Sequence, residues 1–449
     1  MHETGGVGVP TPPGAAVARR VLETTAILGL GMVRSPADAV VGRSPLRGLR
    51  DAFIRLGPVW VKLGQVVAST PAFFPAPVQR ELRDLLDRVP PFSPARAEHR
   101  ARRALGDRLE TFDPTPLASA SLAQVHRARV DGRSVAVKVL RPGVAERIEL
   151  DLTVLRFLAP MLERLPGSGL TRLGDVVDDF ARTLRGELDL DREAAETAAA
   201  RAFLARVGSE DVFVPSVVAA TREVLVTELV EGVPIDAVLR PGAGGPDPAR
   251  LLQSMLLRLQ EMVLVRGRFH GDLHAGNVLV AGEGRLAWID WGIVGSLGPD
   301  GAVAAGRVLA GALQLDFTRL AEGIEGLGVS LTDRPALAAE LERALAPLLA
   351  DRVRAVDLSR LSRRTLGVLL RHRVEVPASL VLLAKQVAYF DRFARALVPH
   401  RRLLEDATEI LAYFVAVHPQ LVEQIAPDDL ADLVGESSRG GAVSARPMR

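Results

Sequence analysis

The sequence predicts an α+β protein of two lobes, a small β-rich one followed by a large helical one, behind an N-terminal helical extension. Three observations carry this reading. Apolar residues at helical spacing, mostly Ala and Leu, dominate both ends of the chain. Around residues 120–140 the period changes to two on either side of an Asp-Gly turn. The stretch "FHGDLHAGNVLVAGEGRLAWIDWG" sets Asp272, Asn277 and Asp290 at the edges of two short apolar runs, where backbone turns and a ligand can approach.

Residues 1–14 are rich in Gly and Pro and read as a flexible tail, without the basic start and apolar core of a secretory signal. Residues 15–110 form the helical extension. It comprises "AAVARRVLETTAILGLGMV", then "SPLRGLRDAFIRLGPVWVKLGQVVAST" broken near Gly57-Pro58, then a helix with Leu82, Leu85, Leu86 and Val89 ended by Pro90-Pro91. Residues 111–240 form the β-rich lobe. "SLAQVHRARV", Asp131-Gly132 and "RSVAVKVLR" make a hairpin, with Ala136, Lys138 and Leu140 on one face and Val135, Val137 and Val139 on the other. Two helical patterns follow, Ala145–Leu165 and Leu173–Val207, and then "EVLVTELVEG" reads as a buried strand. Residues 241–431 form the helical lobe, entered through a Gly-rich surface loop at Pro241–Pro248 and a long helix at Ala249–Gly267. Residues 432–449 are a second tail.

With 449 residues, 48% of them hydrophobic, the chain can bury a substantial core. It has no cysteine, which excludes disulfides and thiolate metal sites. The net charge of +2 argues against a nucleic-acid partner. No apolar run reaches the roughly 18 residues of a membrane span: Thr24–Val33 is too short, and Lys385 interrupts "SLVLLAKQVAYF". A cytoplasmic location is the expectation. Val17–Val33, flanked by Arg19, Arg20 and Arg34, fits either a helix packed on the protein or a peripheral contact with an anionic membrane. Lysine is scarce, only Lys62, Lys138 and Lys385 among 56 Lys and Arg, so each is a candidate for a place where a compact charge suits and a planar fork does not.

Phosphoryl transfer requires a cation for the phosphates, carboxylate and amide oxygens for Mg2+, and a group that positions the nucleophile. Lys138 in "VAVK", Asp272 and Asn277 in "HGDLHAGN" and Asp290 in "IDWG" occur in the order a protein kinase uses, on the expected elements. The Gly-rich loop of a protein kinase is replaced by "LASASLAQVH". Together with "VKLGQ", "GELDLDREA" and "STPAFFP", this resembles the UbiB-type atypical kinase family, named for ubiquinone biosynthesis. The resemblance covers roughly residues 50–300.

The resemblance implies a protein-kinase-like bilobal fold that uses ATP and Mg2+. Lys138 would contact the phosphates and pair with Glu193. Asp272 would be the catalytic-loop acid, with Asn277 and Asp290 holding the metal. Ala118, Ser119, Ala120 and Ser121 would form the loop over the phosphates, Ala136 would line the nucleotide site, and the segment from Glu228 to Val230 would be the adenine-binding hinge. Glu187 and Asp189 match the family's E-x-D motif, which meets Lys62 and Gln65 of its K-x-G-Q motif. The implied reaction is ATP hydrolysis or phosphorylation of a small lipid or isoprenoid-quinone-related molecule. A nucleotide-binding pseudokinase serving as a switch or scaffold at a membrane surface is the alternative, and an orthodox protein kinase is disfavoured by the Ala/Ser loop and the extension. The oligomeric state is not implied.

The chain departs from the family in its catalytic loop, where Leu273 and Ala275 stand in place of two prolines and Trp291 in place of Phe. The membrane-spanning C-terminal helices of some relatives are missing. His270 and His274, at i and i+4, invite a zinc reading, but Gly271 and Gly276 argue against a helix there and no third ligand is evident. His270 is instead expected to brace the loop through backbone hydrogen bonds, with Trp288 and Trp291 in the core and Trp60 packing the extension.

Overall fold

The computed structural model describes residues 12–40, 47–69, 78, 81–82, 91–164, 173–238, 246–349, 358–372, 376–397, 410 and 413–425. Residues 1–11 of the first predicted tail, the whole of the second, Leu85, Leu86 and Val89, and most of the 241–248 loop lie outside the described residues. Packing divides the chain into two units: Met1–Ala195 with Ser216–Leu229, and Glu196–Pro215 with Val230–Arg449. The division differs from the sequence boundary at 240. Ala200, Phe203, Leu204, Val212 and Ile235 bury themselves with Met262 and Trp288, so their segments belong to the second unit.

The first unit is built on a five-stranded antiparallel sheet in the order Leu109–Ser119, Ala123–Val130, Arg133–Leu140, Val224–Glu228, Val217–Thr221. Asp131 and Gly132 both take positive φ, 50° and 73°, so the hairpin closes as the sequence indicates. Val135, Val137 and Val139 are fully buried beneath the helix Pro94–Leu105, which offers Ala101 and Leu105. Assigned from sequence to the extension, this helix is a layer of the sheet's own core. Leu140 turns into a second cluster with Ile148 and Leu152 of the helix Val144–Glu163, and with Leu56, Val59 and Trp60 of the extension.

Within the extension, helices Gly14–Val40, Arg47–Leu56 and Pro58–Ser69 are described, the last two separated by Gly57 at φ 104°. Trp60 packs edge-on against Phe53 as expected of a core residue. Arg20 is buried, donating through Nε to Asp151 Oδ1 at 2.6 Å and through Nη2 to the Leu56 carbonyl at 2.6 Å. It therefore anchors the first helix to the protein, the packed alternative for this stretch, while Leu22 and Leu30 remain exposed.

The long helical pattern at 173–207 is in fact two helices, Leu173–Gly186 and Leu190–Arg206. The break has a local cause. The Asp189 side chain accepts from the Arg192 N–H at 3.0 Å, an N-cap that starts the second helix afresh. Glu187 and Asp189 thus lie in a connection, not on a charged helical face.

In the second unit, the helix Pro248–Leu264 delivers the chain to Arg268–His270, which pairs antiparallel with Val294–Ser296. The apolar runs of the opening motif are strands, Val278–Ala281 and Leu286–Trp288, paired antiparallel through Val280↔Leu286 and Val278↔Trp288. Trp288 and Trp291 are both buried in the core. Helices follow at Gly298–Gln314, Phe317–Gly326, Arg334–Leu349, Leu358–Arg371, Ala378–Leu397 and Pro419–Ile425.

Candidate active site

The first unit holds one set of predicted residues. Lys138 leaves its strand on the face opposite the valines, and its ammonium donates to Glu193 Oε1 at 2.7 Å and Oε2 at 2.9 Å. Glu193 stands in the first turn of Leu190–Arg206, where the helix dipole favours a carboxylate, and is only 4% exposed. A lysine so paired has its charge held in a fixed place. Lys62 Nζ meets Glu187 Oε2 at 2.8 Å, both half-buried, so one acid of the E-x-D motif reaches the extension. Asp189 supports the same region differently, as the cap of the helix that carries Glu193. Gln65 lies on the helix of Lys62, and its side chain is outside the described residues.

Ala118 and Ser119 end the first strand, and Ala120 and Ser121 turn into the second. Arg141 ties this loop down, donating to Ser119 Oγ at 3.1 Å and to the Ala120 carbonyl at 3.0 Å. Burial lowers the Arg141 pKa. Ala136 is one pleat from Lys138. Glu228 ends the last strand of this unit, with its carboxylate accepting from Ser216 N–H at 3.2 Å and Oγ at 2.9 Å, while Val230 opens the second unit.

In the second unit, the loop after Arg268–His270 is folded by its own side chains. His270 is fully buried; its Nδ1 accepts from the Asp272 N–H at 3.0 Å, which leaves the proton on Nε2 to donate to the Ile289 carbonyl at 3.0 Å. Burial lowers its pKa, so the ring stays neutral. Both nitrogens are thereby committed to backbone, and neither has a lone pair for zinc. Gly271 is required by space, since a Cβ there would lie 2.7 Å from Ile293 Cγ2. His274 Nδ1 accepts from the Gly276 N–H, and the buried Asn277 donates through Nδ2 to the Asp272 carbonyl at 2.9 Å. That bond orients the Asn277 amide with Oδ1 as its remaining acceptor. The Asn277 carbonyl accepts from the Ile289 N–H at 3.0 Å, which ties the loop to the residue before Asp290. Asp290 adopts φ 62°, unusual for a residue with a Cβ, and the turn after it carries Trp291 into the core.

Sequence reasoning missed three residues, all on the helix Ala378–Leu397. Lys385 Nζ lies 2.8 Å from Asp272 Oδ1, and the Tyr389 hydroxyl donates to the same oxygen at 3.1 Å. Burial, and after it the Asp272 carboxylate, raises the Tyr389 pKa, so the phenol stays a donor. Gln386 Oε1 accepts from the Leu273 N–H at 3.0 Å. The proline usual at Leu273 would have no N–H to give, so a hydrogen bond does here what a ring does elsewhere. Lysine scarcity was the available signal for Lys385, which the sequence reading singled out as a scarce lysine and a break in an apolar run without assigning it to the site.

Asn277 and Asp290 offer one amide and one carboxylate oxygen. Among the described residues no group of three or more His, Cys, Asp or Glu is arranged to hold a metal. Two oxygen donors fit Mg2+, which keeps waters and takes phosphate oxygens rather than an all-protein cage.

These parts, on this fold, define a kinase-like class. The chain matches the ABC1 atypical kinase-like domain over residues 84–324 and belongs to that family, the UbiB-type atypical kinases. It is 34% identical over 403 residues to Rv0647c of Mycobacterium tuberculosis, covering 85% of this chain and 82% of that protein. It is 31% identical over 405 residues to the probable protein kinase UbiB of Aeromonas hydrophila, covering 87% and 73%. Among solved structures, the complex of Rv3197 with erythromycin from Mycobacterium tuberculosis matches with 26% identity and a TM-score of 0.49, over 75% of this chain and 91% of that one. Among the described residues, no helix is long and apolar enough to cross a membrane.

Proposed function

We propose that the chain binds ATP with Mg2+ and hydrolyses it, or transfers its terminal phosphoryl group to a small lipid or isoprenoid-quinone-related acceptor. The carrying observation is the Asp272 loop. Its backbone is fixed by His270 and Asn277, its carboxylate is held by two side chains of one distant helix, and the Asn277 amide is turned so that Oδ1 is its remaining acceptor. Asp272 would orient the nucleophile, and Lys138, paired with Glu193, would meet the α/β-phosphates. Asn277 and Asp290 would hold Mg2+, which neutralises charge on the β- and γ-phosphates when bound. The Ala/Ser loop, with Cβ atoms where glycines are usual and with Arg141 on its backbone, favours a stiff cover. The exposed Leu22 and Leu30 of the first helix support a peripheral membrane contact, consistent with a lipid-like acceptor.

The test is phosphate release from Mg-ATP by the purified protein, with and without detergent-dispersed isoprenoid lipids, comparing wild type with Asp290→Asn. Turnover that lipid stimulates and the variant lacks supports the enzyme. Nucleotide binding without turnover under any condition would favour a pseudokinase switch or scaffold.

A further inference from the structure

We infer that Lys385 is a catalytic residue of this site, a phosphate-binding cation that contacts the terminal phosphoryl group while anchored on Asp272. The inference rests on the Mg-ATP reading and adds to it a group from outside the motifs. Its first ground is a charge conflict. A carboxylate that orients a nucleophile beside a polyanionic phosphate repels that phosphate, and the transition state spreads negative charge over the transferred oxygens. From Asp272 to Asn277 the loop reads Asp-Leu-His-Ala-Gly-Asn, with neither Lys nor Arg to offset this. The offset comes from Lys385, whose Nζ lies 2.8 Å from Asp272 Oδ1.

The second ground is the residue type and its setting. An ammonium has three N–H donors. One goes to Asp272, and the side chain is still 30% exposed. The ring of Tyr389 lies 5.5 Å from Nζ and limits where the head can swing. A guanidinium here would pair with both carboxylate oxygens through its fork, whereas an ammonium can bridge Asp272 and a phosphate oxygen as a point charge. In a chain that uses Lys at three of 56 Lys and Arg positions, a lysine on the acid of the catalytic loop is a specific choice. Tyr389 and Gln386 are positioning residues, because they hold Asp272 Oδ1 and the Leu273 N–H.

The test separates a γ-phosphate contact from general support of the fold. Affinities for Mg-ADP and for the Mg complex of a non-hydrolysable ATP analogue are measured by calorimetry on the full chain, for wild type, Lys385→Met, Lys385→Gln and Tyr389→Phe. Loss of one charge-assisted hydrogen bond should weaken the analogue by roughly 10- to 100-fold in Lys385→Met, with ADP within about twofold of wild type. Lys385→Gln, which keeps a donor for Asp272 without the charge, should show the same discrimination if Lys385→Met fails to fold. Tyr389→Phe should keep the wild-type ratio of the two affinities. Equal weakening of both ligands, or of neither, overturns the inference while leaving the Mg-ATP reading intact. Wild type that binds neither nucleotide overturns both.

Discussion

Replacing Leu273 with proline restores the residue usual in the family, and in this chain it should destabilise. The N–H of Leu273 is the donor to Gln386 Oε1 at 3.0 Å, and Gln386 is 1% exposed. Proline removes the donor and strands a buried amide oxygen, at a cost of about 1–3 kcal/mol. The Leu273 side chain, itself buried among the apolar residues of the second unit, is lost as well, which adds to the cost. The proline lowers the entropy of the unfolded chain by an equivalent of about 0.4–1 kcal/mol, too little to offset both. Urea unfolding followed by circular dichroism should therefore show an earlier midpoint for Leu273→Pro. In a Gln386→Leu background the orphaned oxygen no longer exists, so most of the penalty should vanish. The two substitutions should thus couple by roughly 1 kcal/mol or more. Additive effects, or a Leu273→Pro variant as stable as wild type, would refute the account of how this loop is held.

Lys138→Met should abolish measurable nucleotide binding by fluorescence titration and also lower stability by about 3–5 kcal/mol, because it takes the ammonium away from the buried Glu193 carboxylate; Lys138→Met with Glu193→Gln should recover much of the stability and none of the binding. Glu261 is fully buried. Burial alone would raise its pKa, but the bonds from His418 and Tyr413 and the charge of Arg258 outweigh this and leave it below the ordinary carboxylate value. Stability from Glu261 is therefore complete above its unfolded pKa, near 4.5, and is lost as pH falls below that through the folded value; Glu261→Gln should flatten that part of the urea-midpoint profile. His270, held neutral by burial, acts in a higher window. Its folded pKa lies below the unfolded value of about 6.5, so its share of the urea midpoint is intact above that pH and declines below it, and a His270→Asn variant should lack this decline.

Much of the fold was legible because local chemistry and tertiary packing agree. The Asp131-Gly132 turn, the alternation of Val135, Val137 and Val139, and the Gly57-Pro58 break each depend on a few adjacent residues. His270 was legible as a brace because Gly271 and Gly276 argued against the helix that a zinc pair with His274 would need. Long-range supports were hidden. Arg20 reaches Asp151 across 131 positions and Tyr389 reaches Asp272 across 117, and nothing in either local pattern marks the partner. The split at Gly186–Asp189 was missed for a different reason. Helical spacing continues through it, and only the cap formed by Asp189 decides that the helix restarts. Pro94–Leu105 was placed in the extension because amphipathicity says that a helix has a buried face without saying what covers it.

The lysines connect these observations. Each of the three is ion-paired to an acid in the structure, Lys62 to Glu187, Lys138 to Glu193 and Lys385 to Asp272. Arginine, with its fork, takes the other recurrent tasks, such as clamping carbonyls from Arg141 or forming the buried network of Arg258 with Asp211 and Glu261. A guanidinium in such a place fills its donors with protein acceptors and becomes part of the scaffold. A lysine paired to a carboxylate keeps a concentrated point charge, which suits an anionic ligand. Under the proposed function, lysine usage would separate the ligand-facing cations of this chain from its structural ones. Arginine substitution should discriminate in the same way: Lys385→Arg and Lys138→Arg should retain most of the fold yet lose nucleotide affinity, whereas Arg141→Lys should weaken the Ala/Ser loop without removing a ligand charge. Comparable affinity losses across all three variants would show that lysine scarcity reflects composition and not chemistry.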